Sequence, residues 1–326
     1  KYCSDACKNG KPQAHGPAAE SAASDNDPDE QAHALLEMGK ARYQVSEVAP
    51  VLAAQLEITT DGAAAKLYRR IERGLLDRGL LRTDGGGPDT PFTDTDLVRN
   101  FERIVFFDEY AAGGGYRPSP GGAGGLRKWP GPVRMSVDFG ASVPADQRAT
   151  DRAMVADYAD RLARVTRHPI SAGARDPNFH VLFLGEDDRA EGLDRIRRIA
   201  PDLDNSTMGV FRFMPRTIHC LVVVFSGGDT PYRYTRAIAW IRAEHPPLMR
   251  RACVHEELAQ GLGLANDSPA ARPSIFNDDD EFALLTRHDE ILLELLYDPA
   301  LTPGMTVEEA RPVLRRLLDR RDGGAV

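Results

Sequence analysis

Five oxygen-bearing side chains fall within twelve consecutive residues: Glu256, Glu257, Gln260, Asn266 and Asp267 in the run EELAQGLGLAND. A helix sets residues i and i+4 one turn apart on one face, which is how helical zinc sites present two of their donors. The spacing H-E-x-x-H-x-x-G-x-x-H adds a general-base Glu in second place, a Gly that permits a sharp bend, and a third donor after the bend. Read from His255, this frame puts Ala259 at the second donor position, and a methyl group cannot ligate. Read one residue later, it fits. Glu257 takes the general-base position and Gly263 the bend, while Glu256, Gln260 and Asn266, followed by Asp267, take the donor positions. None of these donors is an imidazole. Carboxylate and amide oxygens suit harder cations such as Mg²⁺, Ca²⁺ or Mn²⁺ better than Zn²⁺. The chemistry implied is water activation by Glu257 beside a divalent cation, zinc or a harder ion. His255 lies about 100° around the helix from Glu256, so it points elsewhere and reads as a packing residue.

Each of these residues also has a plainer reading. Glu256 and Gln260 are spaced for a helix-surface hydrogen bond, and Asn266-Asp267-Ser268 suits a turn cap. The acidic run Asn277–Glu281 resembles a calcium loop in composition but lacks the spacing, and reads instead as the N-terminal cap of a following helix. His288-Asp289 reads as a solvated or hydrogen-bonded helix pair, and Trp129 as an anchor.

The elements that must position these groups follow from periodicity. Residues 1–32 are polar, rich in Ala, Ser, Asp and Pro, and too poor in large apolar groups to form a core, so they read as a disordered tail or linker. Residues 33–92 carry two or three amphipathic helices. From 93 to 326 strands and helices intermix, interrupted by the glycine-rich loop 111–125. Strands are expected at 132–140, 178–187 and 217–226. Helices are expected at 144–166, 189–199, 234–245, 252–264, 281–298 and 306–321. The fold class is therefore α+β, a mixed sheet with a site-bearing helix, preceded by a small helical region.

Composition excludes several functions. The 326 residues carry 41 basic and 49 acidic side chains, a net charge of −8, and show no basic stripe of the kind that binds nucleic acid. The longest apolar run, CLVVVF at 220–225, is far too short to span a membrane. Phosphate-cradling loops, G-x-S-x-G and C-x-x-C are all absent. Four cysteines, Cys3, Cys7, Cys220 and Cys253, allow three pairings, and Cys220 and Cys253 read equally well as buried free thiols. A Cys220–Cys253 bond would pin a strand to the site-bearing helix.

The chain also resembles a bacterial family, domain of unknown function 2927, itself similar to metzincin-type peptidases. The resemblance rests on NFERIVFFDEY, LRKWPGPVRMSVDFG, NFHVLFLGEDD, MPRTIHCLVVVFS, and the long run from IRAEHPPLMRRACVHEELAQGLGLAND to LYDPALTPGM. It implies a metzincin-like domain over 93–326 and the E-E-x-x-Q-x-x-G-x-x-N-D form of the motif. It also places Phe276 of Ser274-Ile275-Phe276 where metzincins carry a Met beneath the metal. Peptide or protein substrates are implied, or else an inactive relative that binds a peptide or envelope partner. Such relatives act outside the cytoplasm, secreted, periplasmic or in the cell envelope. An oxidising compartment of that kind favours the Cys220–Cys253 disulfide.

Overall fold

A strand buried on both faces reads as an unbroken apolar run, and the central strands of this protein are of that kind. The computed structural model describes residues 60–109, 119 and 121–322. The tail 1–32, the helices expected before residue 60, Cys3, Cys7 and most of the glycine-rich loop lie outside the described residues. Among those described, five strands and eight helices occur. The strands are β1 (Val133–Phe139), β2 (Ile170–Ala172), β3 (Phe179–Leu184), β4 (Cys220–Gly227) and β5 (Thr230–Arg242). They form one mixed sheet in the order β2-β1-β3-β5-β4. β2, β1, β3 and β5 run parallel, and the edge strand β4 is antiparallel to β5.

The helices are α1 (Thr60–Leu76), α2 (Asp94–Phe106), α3 (Ala145–Thr166), α4 (Arg189–Ile199), α5 (Asn205–Arg212), α6 (Pro247–Gln260), α7 (Arg287–Leu296) and α8 (Val307–Asp322). Side chains alternate across a strand. Val181 and Phe183 of β3, with Ala237, Ala239 and Ile241 of β5, join α2, α3, α6, α7 and α8 in the main core. Leu182, Leu184, Ile238 and Trp240 face the other way, onto Ile196 of α4 and Met208 and Phe211 of α5.

This two-sided burial explains one departure from the sequence expectation. Residues 234–245, expected as a helix, belong mostly to β5. Their run AIAWI is apolar throughout because both faces of the strand are covered, and such a run has no period of its own. A second departure is the acidic run 277–281, which caps no helix. α7 begins ten residues later, at Arg287, under a capping box made by Thr286 and Asp289. Asp278, Asp279 and Asp280 lie exposed in the intervening loop. α1 packs Ala64, Tyr68 and Leu75 against Met249 at the start of α6.

The N-terminal end of α6 is fixed by a buried ion pair. Arg250 Nε donates to Asp151 Oδ1 of α3 at 2.8 Å, and its Nη1 to the His245 carbonyl at 2.5 Å. Both side chains are buried. Removing one partner strands the other charge, so Arg250→Ala is expected to cost about 3–5 kcal/mol of stability, measured by denaturant unfolding. A loss below about 1 kcal/mol would show that water reaches Asp151.

Candidate functional site

α6 enters from Pro247 and delivers Glu256 and Glu257 in its last two turns. Its exit is held from outside, as helix carbonyls without intrahelical partners require. Trp129 Nε1 donates to the Gly261 carbonyl at 2.9 Å, and the Tyr297 hydroxyl to the Leu262 carbonyl at 2.9 Å. The chain then bends at Gly263, where φ is +128°. A Cβ there would sit 2.8 Å from the Arg127 carbonyl oxygen, so only glycine fits.

Beyond the bend, Asn266 and Asp267 behave differently. Asn266 is buried, and its Nδ2 donates to the carbonyls of Arg103 and Asp267 at 3.1 and 3.0 Å. Its amide nitrogen therefore holds the turn against α2. Asp267, by contrast, carries the charge that raises the Glu256 pKa most after burial itself. Gln260 is half-buried one turn beyond Glu256.

Glu256 and Glu257 are close. One carboxylate oxygen of each, together with Cys220 Sγ on β4, lies within 4.8 Å of the others. Cys220 is bonded to Cys253 of α6, with S–S 2.05 Å and Cα–Cα 5.7 Å, so its sulfur is no thiolate. Glu257 is 3% exposed. The nearby Val222 backbone favours its ionised form only slightly, while Oε2 is buried without a hydrogen-bond partner. Burial is the main force raising both carboxyl groups, Glu256 up to about 8 and Glu257 well above the usual range. The next largest effects come from acids: Asp267, Glu109, Asp280 and Asp278 on Glu256, and Glu256, Glu109 and Asp267 on Glu257.

This arrangement sets a pH dependence. The folded pKa of Glu256, about 8, exceeds the ordinary 4.5, so the folded state holds a proton that the unfolded chain has released. That stabilisation is complete below pH 4.5 and is lost as pH rises through 8. Below about 6.5 the neutral buried histidines oppose it, since burial holds His255 near 3 and His219 near 4. The clear window is therefore pH 6.5–8. There the cation-free protein is expected to lose on the order of 1–2 kcal/mol, read by denaturant midpoints.

His255 belongs to the scaffold. Its Nδ1 accepts the Leu285 N–H at 3.1 Å, and its ring stacks on Tyr158 with centroids 3.9 Å apart. Phe276 is fully buried beneath the motif turn, and its carbonyl accepts the Ser268 N–H at 2.7 Å. Asp289, fully buried, organises this layer. It accepts Ser274 Oγ at 2.5 Å, the Ile275 N–H at 3.1 Å, and the Thr286 N–H and hydroxyl at 3.1 and 2.9 Å.

Zinc does not fit this set: among the described residues no imidazole joins it, and its one sulfur is oxidised. A hard divalent cation does fit. The two carboxylates brought together, Glu256 and Glu257, are oxygen donors, the surrounding charges are acidic, and a buried carboxylate oxygen lacks a partner, while Asp267 stands outside the 4.8 Å cluster. Glu109, which sequence reasoning passed over, joins this acidic neighbourhood from the segment after α2. Its only signal was its place in the run FFDEY, which follows the apolar face of that helix. No curated protein and no solved structure matches the chain. A family model described as Protein of unknown function (DUF2927) matches residues 94–316, more than half of the chain, and the chain belongs to that family.

Proposed function

We propose that the protein is a metzincin-like, cation-dependent hydrolase that cleaves extended peptide segments outside the cytoplasm. The observation that carries this reading is the adjacent pair Glu256 and Glu257, with the unpartnered buried Oε2 of Glu257, beside Cys220 of the sheet's edge strand β4. In an antiparallel pair, alternate residues turn their N–H and C=O groups away from the neighbouring strand. β4 pairs with β5 along Cys220–Gly227, and its other side is the edge of the sheet. An extended peptide adding to this edge would lie across the carboxylates.

Glu256, Gln260 and Asp267 would hold the cation, with Asn266 fixing the turn that presents Asp267. When bound, the cation polarises the scissile carbonyl as a Lewis acid. Glu257 takes a proton from the attacking water and returns it to the leaving amine as the C–N bond breaks. A cation beside the pair also favours the ionised form of both carboxyl groups, which the base role requires. The disulfide suits the oxidising compartment this reading assigns.

One observation favours the second reading, an inactive relative that binds a peptide or envelope partner: Glu257 is almost wholly buried. The two readings part on a peptide-library digest with Mn²⁺ or Ca²⁺. Cleavage abolished by Glu257→Gln supports the hydrolase. Binding without cleavage, unchanged by that substitution, supports the inactive relative.

A further inference from the structure

The sulfur of Cys220 is the third atom in the cluster formed by the Glu256 and Glu257 carboxylates, all within 4.8 Å. As half of a disulfide it cannot ligate. As a thiolate it would be the softest donor there. We propose that opening the Cys220–Cys253 disulfide creates a site for a borderline metal such as zinc, with Cys220, Glu256 and Glu257 as its ligands. The proposal shares its carboxylates with the hydrolase reading but needs neither peptide binding nor catalysis.

Two observations support it. Three protein donors converging on one point is the number found in open zinc sites, and replacing an oxygen donor by thiolate shifts preference towards zinc and cobalt. The Glu257 carboxylate, one of these three donors, carries a buried Oε2 that has no hydrogen-bond partner. Cys253 has its own neighbour: His245 Nδ1 lies 3.7 Å from its sulfur. The Cys253 thiol released on opening would therefore rest against an imidazole, leaving Cys220 to the carboxylates.

The chemistry balances with a dithiol as reductant. The dithiol supplies two electrons and two protons, the S–S bond breaks to give two thiols, and the dithiol leaves as a cyclic disulfide. The Cys220 proton passes to solvent when the metal–sulfur bond forms.

Cobalt(II) is the probe, because a cobalt–thiolate bond gives a near-ultraviolet charge-transfer band independent of enzymatic activity. The full chain is used with Cys3→Ser and Cys7→Ser, so that no thiol outside the Cys220–Cys253 pair contributes. Cys253→Ser frees Cys220 without any reductant and is expected to show the band, whereas the oxidised protein shows none. Protein reduced by a dithiol and then freed of it is expected to show the band too. Further replacement of Cys220 by Ser abolishes it, and Glu257→Gln weakens cobalt binding at least about tenfold. Absence of the band in both the Cys253→Ser and the reduced proteins overturns the proposal, and so does a band that survives Cys220→Ser. If Cys253→Ser does not fold, as circular dichroism will show, the reduced wild-type cysteine pair decides the matter. Mn²⁺ binding to the oxidised protein is measured separately. Its absence counts against the hydrolase reading alone, and a missing cobalt band counts against this proposal alone.

Discussion

Glu257→Gln is expected to reduce peptide hydrolysis about 10²–10⁴-fold while leaving the protein folded, because the amide keeps the shape of the side chain but cannot accept the proton of the attacking water. The substitution is gentle for a structural reason. The two side chains are nearly isosteric, and Oε2 of Glu257 holds no hydrogen bond for the amide to break. It also removes a buried ionisable group from a crowd of acids, so thermal stability is expected to hold or rise. The loss should appear in kcat with KM little changed, since the edge of β4 that would receive the peptide is untouched. A comparable fall in thermal stability would assign Glu257 to the scaffold, and unchanged turnover would remove it from the chemistry.

Asp289→Ala is expected to have the largest effect on stability, about 4 kcal/mol or more, read from denaturant unfolding. Its carboxylate is fully buried and accepts four hydrogen bonds from Ser274, Ile275 and Thr286. Truncation strands at least two backbone N–H groups, each costing about 1–3 kcal/mol when buried without a partner. The damage should not stay local. The same turn carries Phe276, whose carbonyl holds Ser268 just after Asp267. Cation affinity should therefore fall together with stability, even though Asp289 lies outside the proposed ligands. Asp289→Asn keeps part of the hydrogen bonding and should cost less.

Much of this layer was legible in the sequence, and some was not. The one-residue shift of the motif follows from Ala259 alone, because a methyl group cannot take a donor position. The helices with polar outer faces kept their 3.6-residue period and stood near their expected places, as 145–166 and 189–199 do. β5 was hidden because strands cover one another's apolar faces and erase the alternation that marks a half-exposed strand. The role of Asp289 was hidden because its partners Ser274 and Thr286 are brought to it by the path of the chain. Glu109 was hidden for the same reason, reaching the pair only in three dimensions. The cysteines left three pairings open, and the folded chain joins Cys220 to Cys253 across a separation of 33 residues.

The most direct test is a calorimetric titration of Mn²⁺ into the oxidised, cation-free protein. One equivalent should bind, and both Glu256→Gln and Asp267→Asn should abolish or sharply weaken that binding while His255→Asn leaves it nearly unchanged in the folded fraction. No binding by the oxidised protein, or binding indifferent to Glu256 and Asp267, would contradict a cation centre at the end of α6.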